Sequence, residues 1–155
     1  GIELELMYQV TEAWDLMVTY GYLEAEYKDY LADLTGDGII TDNSGLIPRN
    51  TPENTFGFTT SYTAQLGNGE LKGRVSYRFR DEMNSDSSNN PLGDLDSIEN
   101  VNATLSYSVD NYSITLWGRN LTDEREQRWA TIGGLTSRGW WNEPSTVGVT
   151  FNVSY

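Results

Sequence analysis

The side chains that carry most enzyme chemistry are missing from this chain, which has no histidine and no cysteine. That removes a Ser-His-Asp triad, imidazole and thiolate metal sites, cysteine nucleophiles and disulfides. What remains is oxygen, guanidinium and indole. The densest oxygen set runs from Asp33 to Ser44, as Asp33-Leu-Thr-Gly-Asp-Gly-Ile-Ile-Thr-Asp-Asn-Ser44. Asp33, Thr35 and Asp37 alternate, Gly38 permits a sharp turn, Ile39 offers its carbonyl and Thr41 continues the spacing. Calcium takes hard oxygen ligands, and this spacing converges several of them. The same residues also read as an acidic, solvated loop turning at Gly36-Asp37-Gly38.

The Asp33–Ser44 spacing resembles a calcium loop of the EF-hand or dockerin type, with one departure. Its twelfth position is Ser44, where such a loop has a bidentate Glu. A second set lies near the C-terminus: Arg125, Arg128, Trp129, Arg138, Trp140 and Trp141, with Gly133-Gly134 and Gly139 allowing motion. Arginine and tryptophan together can grip a ligand by charge and stacking. The same tryptophans can instead pack loop against loop or sit at a lipid boundary. Lys72, Arg74, Arg78 and Arg80 form a basic row on one face of a strand. They suit structural ion pairing, or a track for an anionic substrate. Glu3 and Glu5 share a face but have no nucleophile or histidine beside them, so no catalysis is assigned and the chain reads as a non-enzyme.

These groups must be positioned by strands. The chain has 155 residues and 10 Lys+Arg against 23 Asp+Glu, a net charge of −13, which argues against nucleic acid as a partner. Aromatic content of 12% argues against disorder. Period-2 alternation predicts seven strands and no helix: 2–10, 14–22, 56–64, 71–79, 101–109, 112–118 and 147–155. In the apolar phase of all seven, no residue is charged. The other phase holds Glu3, Glu5, Asp15, Lys72, Arg74 and Arg78.

Strands of soluble sheets centre on about 5–6 residues. Crossing an apolar band of about 25 Å at a steep tilt takes roughly 9–11, a length that six of the seven spans reach. Connections alternate short and long. Thr11–Ala13, Gly67–Glu70 and Asp110-Asn111 are short; Glu24–Asn54, Asp81–Asn100 and Asp123–Pro144 are long and hold most of the acid. Trp14 and Tyr112 sit beside short turns, and Tyr20, Tyr22 and Phe79 near long loops, as two aromatic girdles would. The fold expected is all-β: an antiparallel up-and-down transmembrane β-barrel, present as about seven strands. A passive porin-like barrel and a soluble adhesive β-sandwich share the alternation; strand length and loop alternation favour the barrel.

Four stretches resemble one family. Gly1-Ile2-Glu3-Leu4-Glu5 resembles a recurrent Gly-Val-Glu strand start, and Pro48-Arg49-Asn50-Thr51-Pro52 a Pro-containing approach to a strand. Asn120-Leu121-Thr122-Asp123 resembles an Asn-Leu-Phe/Thr-Asp motif closing the penultimate strand. Glu143-Pro144-Ser145-Thr146, followed by alternation to Tyr155, resembles the closing strand, with Ser145 where Arg is usual. The family is the TonB-dependent outer-membrane receptors. The resemblance implies a bacterial outer-membrane location and a 22-stranded barrel with an N-terminal plug and TonB box, neither of which is in these residues. Residues 1–155 are thus expected to form the C-terminal portion of the barrel domain, a fragment ending on the periplasmic side. It further implies uptake of a scarce ligand: an iron–siderophore, cobalamin or an oligosaccharide. Outer-membrane lipid, upstream barrel strands, the plug and TonB are the implied partners. No cofactor is required, apart from the calcium that Asp33–Ser44 could take.

Overall fold

Among the described residues of a computed structural model of the protein, thirteen strands follow in chain order. They are β1 (Ile2–Thr11), β2 (Trp14–Tyr22), β3 (Leu31–Ala32), β4 (Thr41–Asp42), β5 (Asn54–Leu66), β6 (Gly69–Arg80), β7 (Met83–Asn84), β8 (Asp94–Leu95), β9 (Ile98–Val109), β10 (Tyr112–Arg119), β11 (Gln127–Gly133), β12 (Thr136–Trp141) and β13 (Thr146–Val153). The structure describes residues 1–133 and 136–154; at positions 129, 131–133 and 137 only the backbone is described. Tyr155 and Gly134, which figured in the sequence reading, lie outside the described residues.

The seven expected strands are all present and form one antiparallel sheet in the order β1-β2-β5-β6-β9-β10-β13. Each long strand pairs with the next long strand, the up-and-down pattern. Register is the informative part. Leu6 faces Val18, Val18 faces Phe58, Phe58 faces Tyr77, and Tyr77 faces Val101. Leu105 faces Leu116, which faces Val149. The apolar phases of all seven strands therefore meet on one side of the sheet. A slip of one residue anywhere would break that coincidence.

Among the described residues, no second layer covers this apolar side. Leu4, Leu6, Leu116, Val149 and Phe151 are all at least half exposed. Among the described residues, the only buried apolar side chains are Leu95, Ile98 and Ala130. The accessible surface is 11064 Å², whereas a compact soluble chain of this mass exposes about 7,900 Å². A sandwich would have closed a second sheet over the apolar side. Here the other sheets are three two-stranded hairpins within the long connections, β3-β4, β7-β8 and β11-β12.

Aromatic residues of the apolar side gather towards both ends of the strands. Tyr20, Phe56 and Phe79 form a cross-strand row near the long loops. Towards the short turns lie Trp14, Tyr107, Tyr112 and Phe151. Their polar tips are satisfied: Trp14 Nε1 donates to Thr60 Oγ1 at 2.8 Å, Tyr20 to Asn54 Oδ1 at 2.8 Å and Tyr107 to the Leu66 carbonyl at 3.0 Å. An apolar body with a wet tip suits a boundary between two solvents.

The short turns are tighter than expected. Leu66 pairs with Gly69, so Gly67-Asn68 alone makes the second turn, with Gly67 at φ +62°. Glu70 already belongs to the strand.

Candidate functional site

At the other end the three long connections lock together. Asn89 of the second donates to the Ile47 carbonyl of the first and accepts from the Ile47 N–H, both at 2.8 Å. Ser85 Oγ of the second donates to the Ala130 carbonyl of the third at 3.1 Å. The buried apolar side chains, Leu95, Ile98 and Ala130, all lie at this end.

Asn120 anchors the third connection to the sheet. It sits at φ +49° and is 5% exposed. Asparagine tolerates this left-handed region better than most residues. Its Oδ1 accepts from Asn100 Nδ2 (3.0 Å) and from the Glu124 N–H (3.2 Å). Its Nδ2 donates to the carbonyls of Glu124 (3.0 Å) and Glu143 (3.1 Å), which lie at the two feet of the loop. Asp123, also at positive φ, accepts from the Ser145 N–H at 2.9 Å. The Asn120–Asp123 motif is thus a corner that fixes where the third loop leaves and re-enters the wall.

Below that corner, on the polar side of the sheet, lies a cleft of about 730 Å³. Arg78 of β6, Asn100 and Asn102 of β9 and Arg119 of β10 form its floor; Glu126, Arg128, Trp141 and Asn142 of the third loop form its rim. Glu126 is 9% exposed and accepts from Arg78 Nη2 at 3.2 Å, with Arg128 Nε at 3.8 Å from the same oxygen. The Arg119 guanidinium lies 5.3 Å from the Trp117 ring centre. Three guanidiniums, three primary amides and one indole can bind an anionic, partly flat ligand.

A second depression of about 760 Å³ lies on the apolar side, where Gly73 and Ala103 leave little side chain above the sheet and Leu121 folds over Gly118. It offers an almost wholly apolar wall.

The expected ligand-gripping residues divide. Trp141 lines the cleft, while Trp140 and Arg138 on the same strand are exposed away from it. Both tryptophans are strongly exposed, at 73% and 60%. The Trp129 backbone pairs with Trp140, but its side chain lies outside the described residues. The basic row also divides. Arg78 pairs with Glu126; Arg80 is buried and donates to the carbonyls of Asp81 (2.9 Å) and Asp96 (3.1 Å). Lys72 and Arg74 have no ion-pair partner among the described residues. Sequence reasoning missed Asn100, Asn102, Arg119, Glu126 and Asn142 as site residues. Two amides at successive positions of the polar phase of β9 were the available signal.

In the first loop, Asp33 turns both oxygens inward. Oδ1 accepts from the Gly36 N–H at 2.6 Å and from the Thr35 N–H, and Oδ2 from the Gly38 N–H at 2.7 Å. The Gly38 N–H foremost, then the Gly36 N–H and the Thr35 hydroxyl, hold its carboxyl below the usual aspartate range. Asp37 Oδ1 accepts from the Ile39 N–H at 2.8 Å, and the Thr41 hydroxyl donates to the Ala32 carbonyl at 3.3 Å. The Ser44 hydroxyl and N–H likewise hold Asp42 low. Among the described residues, no three acidic side chains are placed to share a metal ion.

A family model described as TonB dependent receptor-like, beta-barrel, matches residues 1–121. The ferric yersiniabactin uptake receptor FyuA from Yersinia pestis superposes with a TM-score of 0.81 at 16% identity, over 99% of this chain and 23% of that one. The siderophore receptor PiuA from Acinetobacter baumannii gives 0.74 at 22% identity, over 99% and 21%. The ferric-catecholate import receptor Fiu from E. coli K12 gives 0.71 at 23%, over 97% and 20%. The chain therefore spans between a fifth and a quarter of these receptors, and the likeness is one of fold.

Proposed function

The chain belongs to the TonB-dependent receptor-like β-barrel family, and from that premise we propose that it forms wall and outer loops of a receptor that takes up a scarce ligand across the bacterial outer membrane. The observation that carries this reading is the placing of the cleft. It opens beneath the locked long loops, on the polar side of a sheet whose other side carries one charged residue, Glu99, at the loop end of β9 opposite Phe79. In a barrel of this family the polar side faces the lumen and the apolar side the lipid. A ligand arriving from outside would meet the loops first and the arginine-lined cleft next.

An iron–siderophore is the ligand class we favour, because the three structural neighbours are named for siderophore or ferric-complex uptake. Trp129, Arg138, Trp140 and Trp141 would contribute to capture, and Asp33, Thr35, Asp37, Ile39 and Thr41 would form a calcium site in the first loop. TonB and a plug would act through parts of the receptor outside these residues. No catalytic role is proposed.

The test is uptake of radiolabelled iron on a panel of siderophores by iron-starved cells carrying the complete receptor, with and without TonB. TonB-dependent uptake supports the proposal. Uptake that persists without TonB favours a passive channel. Competition by unlabelled cobalamin or oligosaccharide would redirect the ligand class.

A further inference from the structure

The cleft already contains a carboxylate, and that carboxylate belongs to the protein. Glu126 is nearly buried, whereas its partners are not: the Arg78 and Arg128 side chains are 55% and 64% exposed. Arg78 gives Glu126 one N–H at 3.2 Å, and Arg128 at 3.8 Å lies beyond hydrogen-bond reach. A guanidinium has five donors in a planar fork, so most of this capacity is unspent and borders the cleft. Glu126 is also mechanically placed. It stands at the foot of the β11-β12 hairpin, where its N–H donates to Asn142 Oδ1 at 3.0 Å and its carbonyl accepts from the Asn142 N–H at 2.9 Å. The Glu126–Arg78 pair is the only salt bridge joining that hairpin to the wall among the described residues.

We propose that Glu126 is an internal surrogate for the ligand's own carboxylate. The cleft takes ligands bearing planar carboxylates; such a group displaces Glu126 from Arg78 and Arg128 and so frees the foot of the third loop. This deepens the uptake reading by naming the chemical group recognised, and it rests on that reading only for placing the cleft in the ligand's path. A carboxylate meeting Arg78 and Arg128 through parallel N–H···O bonds satisfies both forks, which the one tethered oxygen of Glu126 does not. Ligand occupancy and loop position then become linked, because one pair of cations serves both anions.

The test uses the complete receptor in detergent, with citrate as the carboxylate probe. Calorimetry compares wild type, Glu126→Gln and Arg78→Met, and hydrogen exchange follows residues 126–142. Removing the competing charge should tighten citrate binding about tenfold in Glu126→Gln, the worth of one charge-assisted contact, and Arg78→Met should abolish binding. In wild type, citrate should raise exchange at the hairpin foot, and Glu126→Gln should show that raised level without citrate. Citrate binding unchanged or weakened in Glu126→Gln would overturn the proposal. If Glu126→Gln does not fold, wild-type exchange decides: no change at residues 126–142 at millimolar citrate refutes it. Failure of siderophore uptake with these responses intact would count against the uptake reading alone.

Discussion

Placing a cation on the apolar side asks directly what that side faces. Leu116 of β10 lies four residues from Tyr112 at the short turn and three from Arg119 at the loop end. At about 3.3 Å per residue and a tilt near 45°, it stands roughly 9 Å above the turn, near the middle of a band about 25 Å tall. Its cross-strand neighbours are Leu105 and Val149, so no carboxylate is opposite. Leu116→Arg should therefore cost about 2–4 kcal/mol in lipid. The control is Thr59→Arg on the polar side, beside Met17 and Ser76, which should cost less than about 1 kcal/mol. If the apolar side faced water, half-exposed Leu116 would tolerate arginine within about 0.5 kcal/mol. The measurement is urea unfolding of the complete barrel in lipid vesicles, followed by loss of heat-modifiable migration. Equal midpoints for the two variants would refute the assignment of faces.

Asn120→Ala should cost about 3 kcal/mol or more, combining the lost amide bonds with a left-handed backbone that alanine resists. Asn120→Gly should recover only the backbone share, about 1 kcal/mol; equal unfolding midpoints for the two would remove the anchoring role of the side chain. The Asp33 carboxyl is held below its unfolded value, so the order it lends the first loop is complete above about pH 4. That order is lost as pH falls through the lower folded value. Pepsin should cut within residues 33–42 increasingly fast over that descent in wild type, while Asp33→Asn should be cut rapidly throughout; matching profiles would exclude the carboxylate as the cause. Calcium bound by this loop must first displace the N–H groups that hold Asp33, so calorimetry should show heat only at millimolar calcium and none in Asp33→Asn. A flat titration of wild type at that concentration ends the calcium proposal.

Much of the wall was legible because its rule is local. Side chains alternate sides along any strand, so Val18, Phe58, Tyr77 and Val101 announce a shared face before any pairing is known. Strand length was legible as well: the sheet's strands run from 8 to 13 residues, and the seven predicted spans fall within them up to Val153. The loop hairpins were not legible. β3, β4, β7 and β8 are two residues each, too short for any periodicity. β11 and β12 show no sustained alternation in the sequence, mixing Arg, Trp, Thr, Ser and Gly along both strands.

The amino-acid order alone dictated a face uncharged over the seven predicted spans, its strand spacing and the alternation of short and long connections, since each is read from the alternation along the chain and where it breaks. Its Asn120 corner was visible as a motif without a reason. The cleft came only with folding. Arg78, Asn100, Arg119, Glu126 and Trp141 are scattered along the chain and meet because antiparallel register carries three strands to one height, while Asn120 returns the third loop over them. Which arginine finds Glu126, and which tryptophan turns away, depends on distances through space that no spacing along the backbone encodes.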